Sequence, residues 1–131
     1  MTALVVTTEN EIRKVPYDAP HYEVIRDAVG GLYELVHPRN LLEPYRMMVN
    51  EEGLLLGLPL NLLGSYLYGT QTHGQPIVGD IVILKLGYHA GEPDVVGMTD
   101  EEALQLGGWF EQLSFGVVHW ASTKERKPTS G

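Results

Sequence analysis

The chain of 131 residues is the size of one domain, and its 44% hydrophobic content is enough to fill a core, which argues against disorder and against a metal-nucleated mini-domain. With 9 basic against 17 acidic residues, the formal net charge of -8 disfavours general binding to a phosphate backbone, which needs a basic surface to release counterions. The absence of cysteine removes disulfide frameworks, thiolate metal sites and thiol nucleophiles together, and suits a reducing compartment.

The first residues form a short β-branched run at 3–7, and a polar stretch separates it from a second run at 12–15, which predicts an opening hairpin. They lack the basic and long apolar regions of a secretory signal, so the expected location is the cytoplasm. Beyond the breaker segment 16–20, Tyr22, Ile25 and Val29 recur at helical spacing, with Glu23, Arg26 and Asp27 on the other side. This amphipathic helix starts near Asp18 or His21, and Gly30 is placed to end it.

Residues 31–37 alternate as a strand that puts Glu34 on the same side as Leu32 and Val36. Another strand is expected over 45–49. Asn50, Glu51, Glu52 and Gly53 then have the composition of a hairpin turn with a left-handed glycine, and residues 54–56 would return along the strand. The stretch 53–79 contains no Asp, Glu, Lys or Arg, but Pro59, Asn61 and several glycines interrupt it, so it does not read as a membrane span. Asn61 suits the cap of a short helix reaching about Tyr68.

Residues 70–76 read as a polar loop, and 77–86 as the strongest strand, in which Asp80 interrupts the row formed by Val78, Val82 and Leu84. Residues 88–98 read as a loop rich in Gly, Pro and Asp. The sequence Thr99-Asp100-Glu101-Glu102 is a capping box with acidic residues at the positive end of a third helix. That helix carries Ala103, Leu106, Phe110 and Leu113 on one face, and Gly107-Gly108 threatens to kink or split it. A last strand is expected within 115–120. The division that follows is a single domain over residues 1–123 and a mobile basic tail over 124–131. No fixed-period repeat occurs. Hairpins mixed with separated helices predict an α+β fold with a mainly antiparallel sheet and two or three helices.

Phosphate-loop, dinucleotide, nucleophile-elbow and zinc-protease signatures are all missing, and the five histidines include no i, i+4 pair. No cofactor and no metal are expected. Glu34 and Asp80 each point at apolar neighbours, an arrangement that raises a carboxylate's pKa and makes general acids. The competing reading places one at a sheet edge and the other beside a Gly79 bulge. Asn61 is either a helix cap or an amide that orients a ligand beside exposed helix amides. Asn50, Glu51 and Glu52 either form a turn or present polar groups to a partner. Tyr22, Tyr33, Tyr66, Tyr68, Trp109 and Trp120 either line a pocket or belong to the core.

Between residues 51 and 123, Lys85 is the one Lys or Arg, facing nine Asp and Glu, so the second half presents a negative surface. That surface serves solubility, or mimics a nucleic acid.

The ordered set Tyr22-x-x-Ile25, Val29-Gly30-Gly31 with Glu34 and Val36, Asn50-Glu51-Glu52-Gly53, Leu58-Pro59-x-Asn61 and Ile77-Val78-Gly79-Asp80 resembles a family of short proteins known only as a domain of unknown function. Its members are common in bacteriophages, plasmids and their bacterial hosts. The resemblance spans residues 17–86, departs from the family after residue 88, and implies a mobile-element accessory protein without assigning an activity. It singles out Glu34, Asn50, Glu51, Glu52, Asn61 and Asp80 as polar positions within the shared motifs.

The leading expectation is a non-catalytic binding protein that sequesters a small ligand, nucleotide-like ligands included, or blocks a host protein, with counter-defence as a natural role. The residues expected to bind are Tyr22, Arg26, Asn50, Glu51 and Asn61. For a nucleotide, Arg26, Arg39 and Arg46 or helix N-termini would have to offset the acidic charge. The alternatives are a small enzyme with Glu34 and Asp80 as an acid-base pair, and an acidic decoy of a nucleic-acid-binding protein. Direct nucleic-acid binding and membrane association are not expected, and a homodimer is.

Overall fold

The computed structural model describes residues 1–113 and the backbone of residues 119–122. In chain order the elements are β1 (Thr2–Val6), β2 (Glu11–Pro16), α1 (Tyr22–Val29), β3 (Tyr33–Val36), β4 (Tyr45–Asn50), α2 (Leu62–Tyr68), α3 (Thr70–His73), β5 (Ile81–His89), β6 (Glu92–Val96), α4 (Asp100–Gln112) and β7 (His119–Ser122). The strands form one sheet in the order β3-β4-β5-β1-β2-β7, with β6 pairing β5. Every pairing is antiparallel except β2 with β7. This is the expected single α+β domain with a mainly antiparallel sheet.

β5 organises the sheet. Its first half is clasped between β4 and β1, with Val82 opposite both Met48 and Val5. Where β1 ends, β6 takes over the same edge, pairing Val96 with Lys85, and Met98 then bridges to Thr2. Alternation along these strands sorts apolar side chains to two faces. Leu4, Val6, Met47, Val49, Ile81 and Ile83 pack with Leu63 and Leu67 of α2 and with Ala103, Leu106 and Phe110 of α4. Ala3, Val5, Met48, Val82 and Leu84 pack on the other face with Ile25 and Val29 of α1. The sheet is therefore sandwiched between one helix and a group of helices.

Local chemistry explains the element ends. In the β1–β2 turn the Thr7 hydroxyl accepts from the amides of Glu9 and Glu11, and Asn10 takes a left-handed φ of 64°. α1 buries Ile25 and Val29, and Gly30 closes it at φ 86° by donating its amide to the Arg26 carbonyl. His21 occupies the N-cap position without a side-chain cap, and its amide donates to the Tyr17 hydroxyl. The capping box of α4 forms in full: the Thr99 hydroxyl accepts from the Glu102 amide, and the Glu102 carboxylate accepts from the Thr99 amide.

Several expected elements differ. Residues 54–56 do not return as a strand; residues 51–57 coil through successive turns in which the Leu56 amide donates to Glu52 and the Leu58 amide to Gly53. Gly53 is not left-handed. It is needed for space, because a Cβ there would lie 2.8 Å from the Val78 side chain. The segment 77–80 stands outside β5; it forms an isolated Leu60–Val78 bridge and is tied down by the Asn61 backbone amide on the Ile77 carbonyl and the Gly79 amide on the Pro59 carbonyl. Residues 70–73 form a turn of helix rather than loop, making four helices among the described residues where two or three were expected. The expected loop at 88–98 is a hairpin, since β5 runs to His89, and Ala90 and Gly91, both with positive φ, turn the chain into β6. Gly107-Gly108 does not break α4, which is held along its length by buried Ala103, Leu106 and Phe110. Of the last expected strand, residues 119–120 fall in β7; residues 115–118 and the expected tail at 124–131 lie outside the described residues.

Candidate functional site

Three of the segments singled out in the sequence converge at one end of the sheet. β3 is the edge strand and pairs Glu34 with Val49 and Val36 with Met47 of β4. This register turns Glu34 and Val36 to the face of Val49 and Met47. β4 then runs into the turns at 51–57, and the extended segment 77–78 comes alongside, with Gly53 packed against Val78. Between them lies a cavity of about 410 Å³, lined by Glu34, Val36, Val49, Asn50, Glu51, Glu52, Gly53, Leu54, Leu55, Tyr68, Gln75, Pro76, Ile77 and Val78. The volume falls in the range of small-ligand sites.

Among the described residues the lining holds three carboxylates, from Glu34, Glu51 and Glu52, and no Lys, Arg or His. All three residues are exposed, so the anions keep water at the cavity mouth. Among the described residues no group of three or more His, Cys, Asp or Glu is arranged to hold a metal ion, so these carboxylates surround the space without converging on a point. The rim is apolar: Leu54, Leu55 and Leu56 are exposed, Leu55 at 86%. Negative groups within an apolar border suit an extended organic cation better than a phosphate.

The two asparagines are structural in their hydrogen bonding. Asn50 is buried, donates to the Val29 carbonyl at the end of α1 (3.0 Å) and accepts from the Glu52 amide (2.7 Å). It thereby fixes the turn that carries Glu51 and Glu52. Asn61 is completely buried. Its Nδ2 donates to the carbonyls of Val6 (3.0 Å) and Gly79 (2.9 Å), and its Oδ1 caps α2 through the Gly64 amide (2.8 Å). The cap expected at Asn61 is present, and the same side chain ties the end of β1 to the segment that walls the cavity.

The other residues expected to bind lie elsewhere. Tyr22 and Arg26 are on α1, across the sheet, where the Tyr22 hydroxyl donates to Asp94 of β6 at 3.0 Å. Of the five residues expected to bind, Asn50 and Glu51 line this cavity. Glu34 and Asp80 are not assembled as an acid-base pair: β4 stands between β3 and β5, and the two carboxylates line different cavities. Glu34 sits exposed on the sheet edge, while Asp80 follows the left-handed Gly79 and accepts the Thr8 amide at 3.0 Å.

Burial pushes the hydroxyls of Tyr17, Tyr33 and Tyr45 up, and the hydrogen bond to Asp94 does so for Tyr22. Glu102 is held below the ordinary carboxylate range by the Thr99 amide and then by Lys85, and Glu43 by Arg46 first.

Of the far wall, made of Tyr68, Gln75 and Pro76, sequence reasoning weighed Tyr68 as pocket lining or core and missed Gln75 and Pro76. The signal available was the helix-capping Asn61 after Pro59, which turns the chain back so that α2 and the segment after it face β3 and β4.

A family model described as a domain of unknown function, DUF3846, matches residues 1–113, and the chain belongs to that family. The match extends beyond residues 17–86 to take in β1, β2, β6 and α4, so the segment after residue 88 up to residue 113 is part of the family domain and not a departure from it. Comparison with curated proteins and with solved structures finds no match.

Proposed function

We propose that this member of the family is a non-catalytic binding protein whose acidic cavity takes a cationic group, presented by a small amine or by a basic side chain of a host protein that it blocks. The observation that carries the reading is the meeting of Glu34, Glu51 and Glu52 around one cavity, with no basic residue among the described residues of its lining and exposed leucines at its rim. A cation flanked by apolar groups matches both features. Phosphates do not, so among the ligands the sequence allows, a nucleotide held by its phosphates is the poorer fit to this cavity. The resemblance of the motifs to proteins of bacteriophages and plasmids supports an accessory role in a mobile element, with counter-defence as the setting in which a small blocking protein acts. A homodimer in the cytoplasm is the working form of this reading.

The test is calorimetry of the full chain with spermidine and with an arginine-rich peptide bearing leucines, beside adenosine monophosphate. Saturable binding of the cationic probes is expected, weakening with salt and falling at least tenfold when Glu34, Glu51 and Glu52 are changed together to Gln. Binding of the nucleotide alone, or cation binding that the triple change leaves intact, would overturn the reading.

A further inference from the structure

The sheet ends at β3, and register shows which backbone groups that strand turns outward. The Leu32 carbonyl accepts from the Glu51 amide at 2.9 Å, one step beyond the pairing of Tyr33 with Asn50. Hydrogen-bonded pairs alternate along an antiparallel ladder, so Glu34 with Val49 and Val36 with Met47 are the bonded pairs that follow. The other edge of β4 agrees: the Leu86 amide donates to the Pro44 carbonyl, which assigns Arg46 and Met48 to β5 and leaves Met47 and Val49 to β3. Tyr33 and Leu35 therefore turn their N–H and C=O groups away from the sheet, where no hydrogen bond meets them among the described residues.

Proteins blunt an open edge with lysine, proline, a bulge or a covering segment. The four residues of β3 hold no lysine or proline and pair with β4 without a bulge. Their one charge is Glu34, which shares a face with Val36 and lines the acidic cavity. The opposite face carries Tyr33, packed against the core beneath α1, and the exposed Leu35. Side chains of a strand laid on this edge alternate in the same way. On the cavity face one of them stands directly opposite Glu34 in a non-hydrogen-bonded position, where Cα atoms lie about 4.5 Å apart and side chains approach most closely. The next on that face stands opposite Leu32, whose neighbour on the other side is Glu51. Both positions ask for a cation, and the alternate ones, beside Tyr33 and Leu35, for apolar groups.

A second copy of the chain does not meet this demand. Antiparallel pairing of β3 with itself about Glu34 sets the two Glu34 carboxylates opposite each other, and the strand has no Lys or Arg to offset them in a chain of net charge -8. We propose that the open edge of β3 takes an extended segment of a partner protein as an added strand, in which basic and apolar residues alternate and the basic ones lie on the face of Glu34 and the acidic cavity. Main-chain hydrogen bonds to Tyr33 and Leu35 supply affinity that is indifferent to sequence, and the carboxylates select which segment is held. This assignment, which rests on the reading of the acidic cavity as a cation site, makes the cation a side chain of a bound strand rather than a free amine.

Titration of the full chain with an eight-residue peptide of alternating lysine and valine tests the added strand. Its companions are spermidine, a peptide of alternating glutamate and valine, and the lysine peptide with its four central backbone nitrogens methylated, which keeps every charge and removes the main-chain donors. In calorimetry the methylated peptide and the glutamate peptide are each expected to bind at least tenfold more weakly than the lysine peptide. Hydrogen exchange of the Tyr33 and Leu35 amides is expected to slow at least tenfold when the lysine peptide binds, and to stay unchanged with spermidine. Leu35→Pro removes an outward N–H that β4 does not use, a change that edge strands tolerate, and should weaken the lysine peptide at least tenfold. Should that variant unfold, the methylated peptide decides the same point. Equal binding of the methylated and unmethylated peptides, equal binding of the lysine and glutamate peptides, or unslowed exchange at Tyr33 and Leu35 overturns the proposal. If spermidine still binds in that case, the acidic cavity stands without the added strand, whereas loss of both spermidine and peptide binding overturns the two together. Exchange at Tyr33 and Leu35 that slows with protein concentration alone would place a second copy on the edge and overturns the proposal as well.

Discussion

At Asn61 one amide group closes three backbone gaps at once, accepting from Gly64 and donating to Val6 and Gly79, with no exposure to solvent. Asn61→Ala leaves a buried N–H and two buried carbonyls without this partner, at about 1–3 kcal/mol for each group that finds no substitute. The expected loss is therefore on the order of 3 kcal/mol or more, far above a simple cap deletion at about 1 kcal/mol. Urea unfolding checks it, and a loss no larger than a cap's would mean that the two carbonyls find other donors. Asn61→Asp should be as damaging, since it sets a carboxylate oxygen against the carbonyls of Val6 and Gly79. The cap was legible in the sequence because it is local: Asn61 precedes an apolar run that begins at Leu62. The bonds to Val6, 55 residues away, and to Gly79 were not, because nothing in the spacing of residues tells a capping asparagine that its amide nitrogen will meet another strand. The same limit applies to Gly53, whose composition signals a turn but whose small size answers to Val78.

Elements with strong local rules were readable, and those decided by sheet partners were not. The capping box at Thr99 is written in four consecutive residues and forms as read, whereas β6 contains Pro93 and Asp94 and is a strand because β5 runs long enough to offer it an edge. Pro93 stands in a terminal part of the sheet, which tolerates the missing donor. For α4 two results are expected. Thr99→Ala should cost about 1 kcal/mol in urea unfolding, and equal stability of variant and parent would show that the cap contributes nothing. Glu102 accepts from the Thr99 amide and from Lys85 Nζ at 3.0 Å, and both interactions lower its pKa in the folded state. A carboxylate with a lowered folded pKa binds protons more readily when unfolded, so its contribution is present above the ordinary glutamate range and is lost as pH falls through the folded value. The stability gap between parent and Glu102→Gln should accordingly be full near neutrality and shrink as the medium is acidified below the usual glutamate pKa. A gap that stays constant with pH would show that the effect of Glu102 is not electrostatic.

At the scale of the whole molecule, an apolar stretch among the described residues lies uncovered beside the acidic cavity. Leu54, Leu55, Leu56, Leu60 and Leu62 are exposed along a single stretch of chain. A concentration of large apolar side chains on that scale marks an interaction surface, and a second copy of the chain can cover it by an isologous contact in which the same leucines meet each other. Such a contact also brings Glu34, Glu51 and Glu52 of one protomer toward those of its partner, within a chain whose net charge is already -8. Dimer formation is then opposed by like charge and driven by apolar burial, which fixes the sign of its salt dependence: added salt screens the repulsion and strengthens the dimer. Light scattering of the full chain should show a dimer at about 100 μM, well above a micromolar dissociation constant, with a greater dimer fraction in 0.5 M sodium chloride than in 0.05 M. Leu55→Glu, which adds a charge at the most exposed leucine of the stretch, should weaken association at least tenfold without unfolding the chain. If spermidine occupies the acidic cavity and neutralises its carboxylates, it should strengthen the dimer at low salt, and by linkage the dimer should bind spermidine more tightly than the monomer. A parent protein that stays monomeric up to about 1 mM, or a dimer indifferent both to Leu55→Glu and to salt, would place the contact elsewhere and leave the leucines for a different partner.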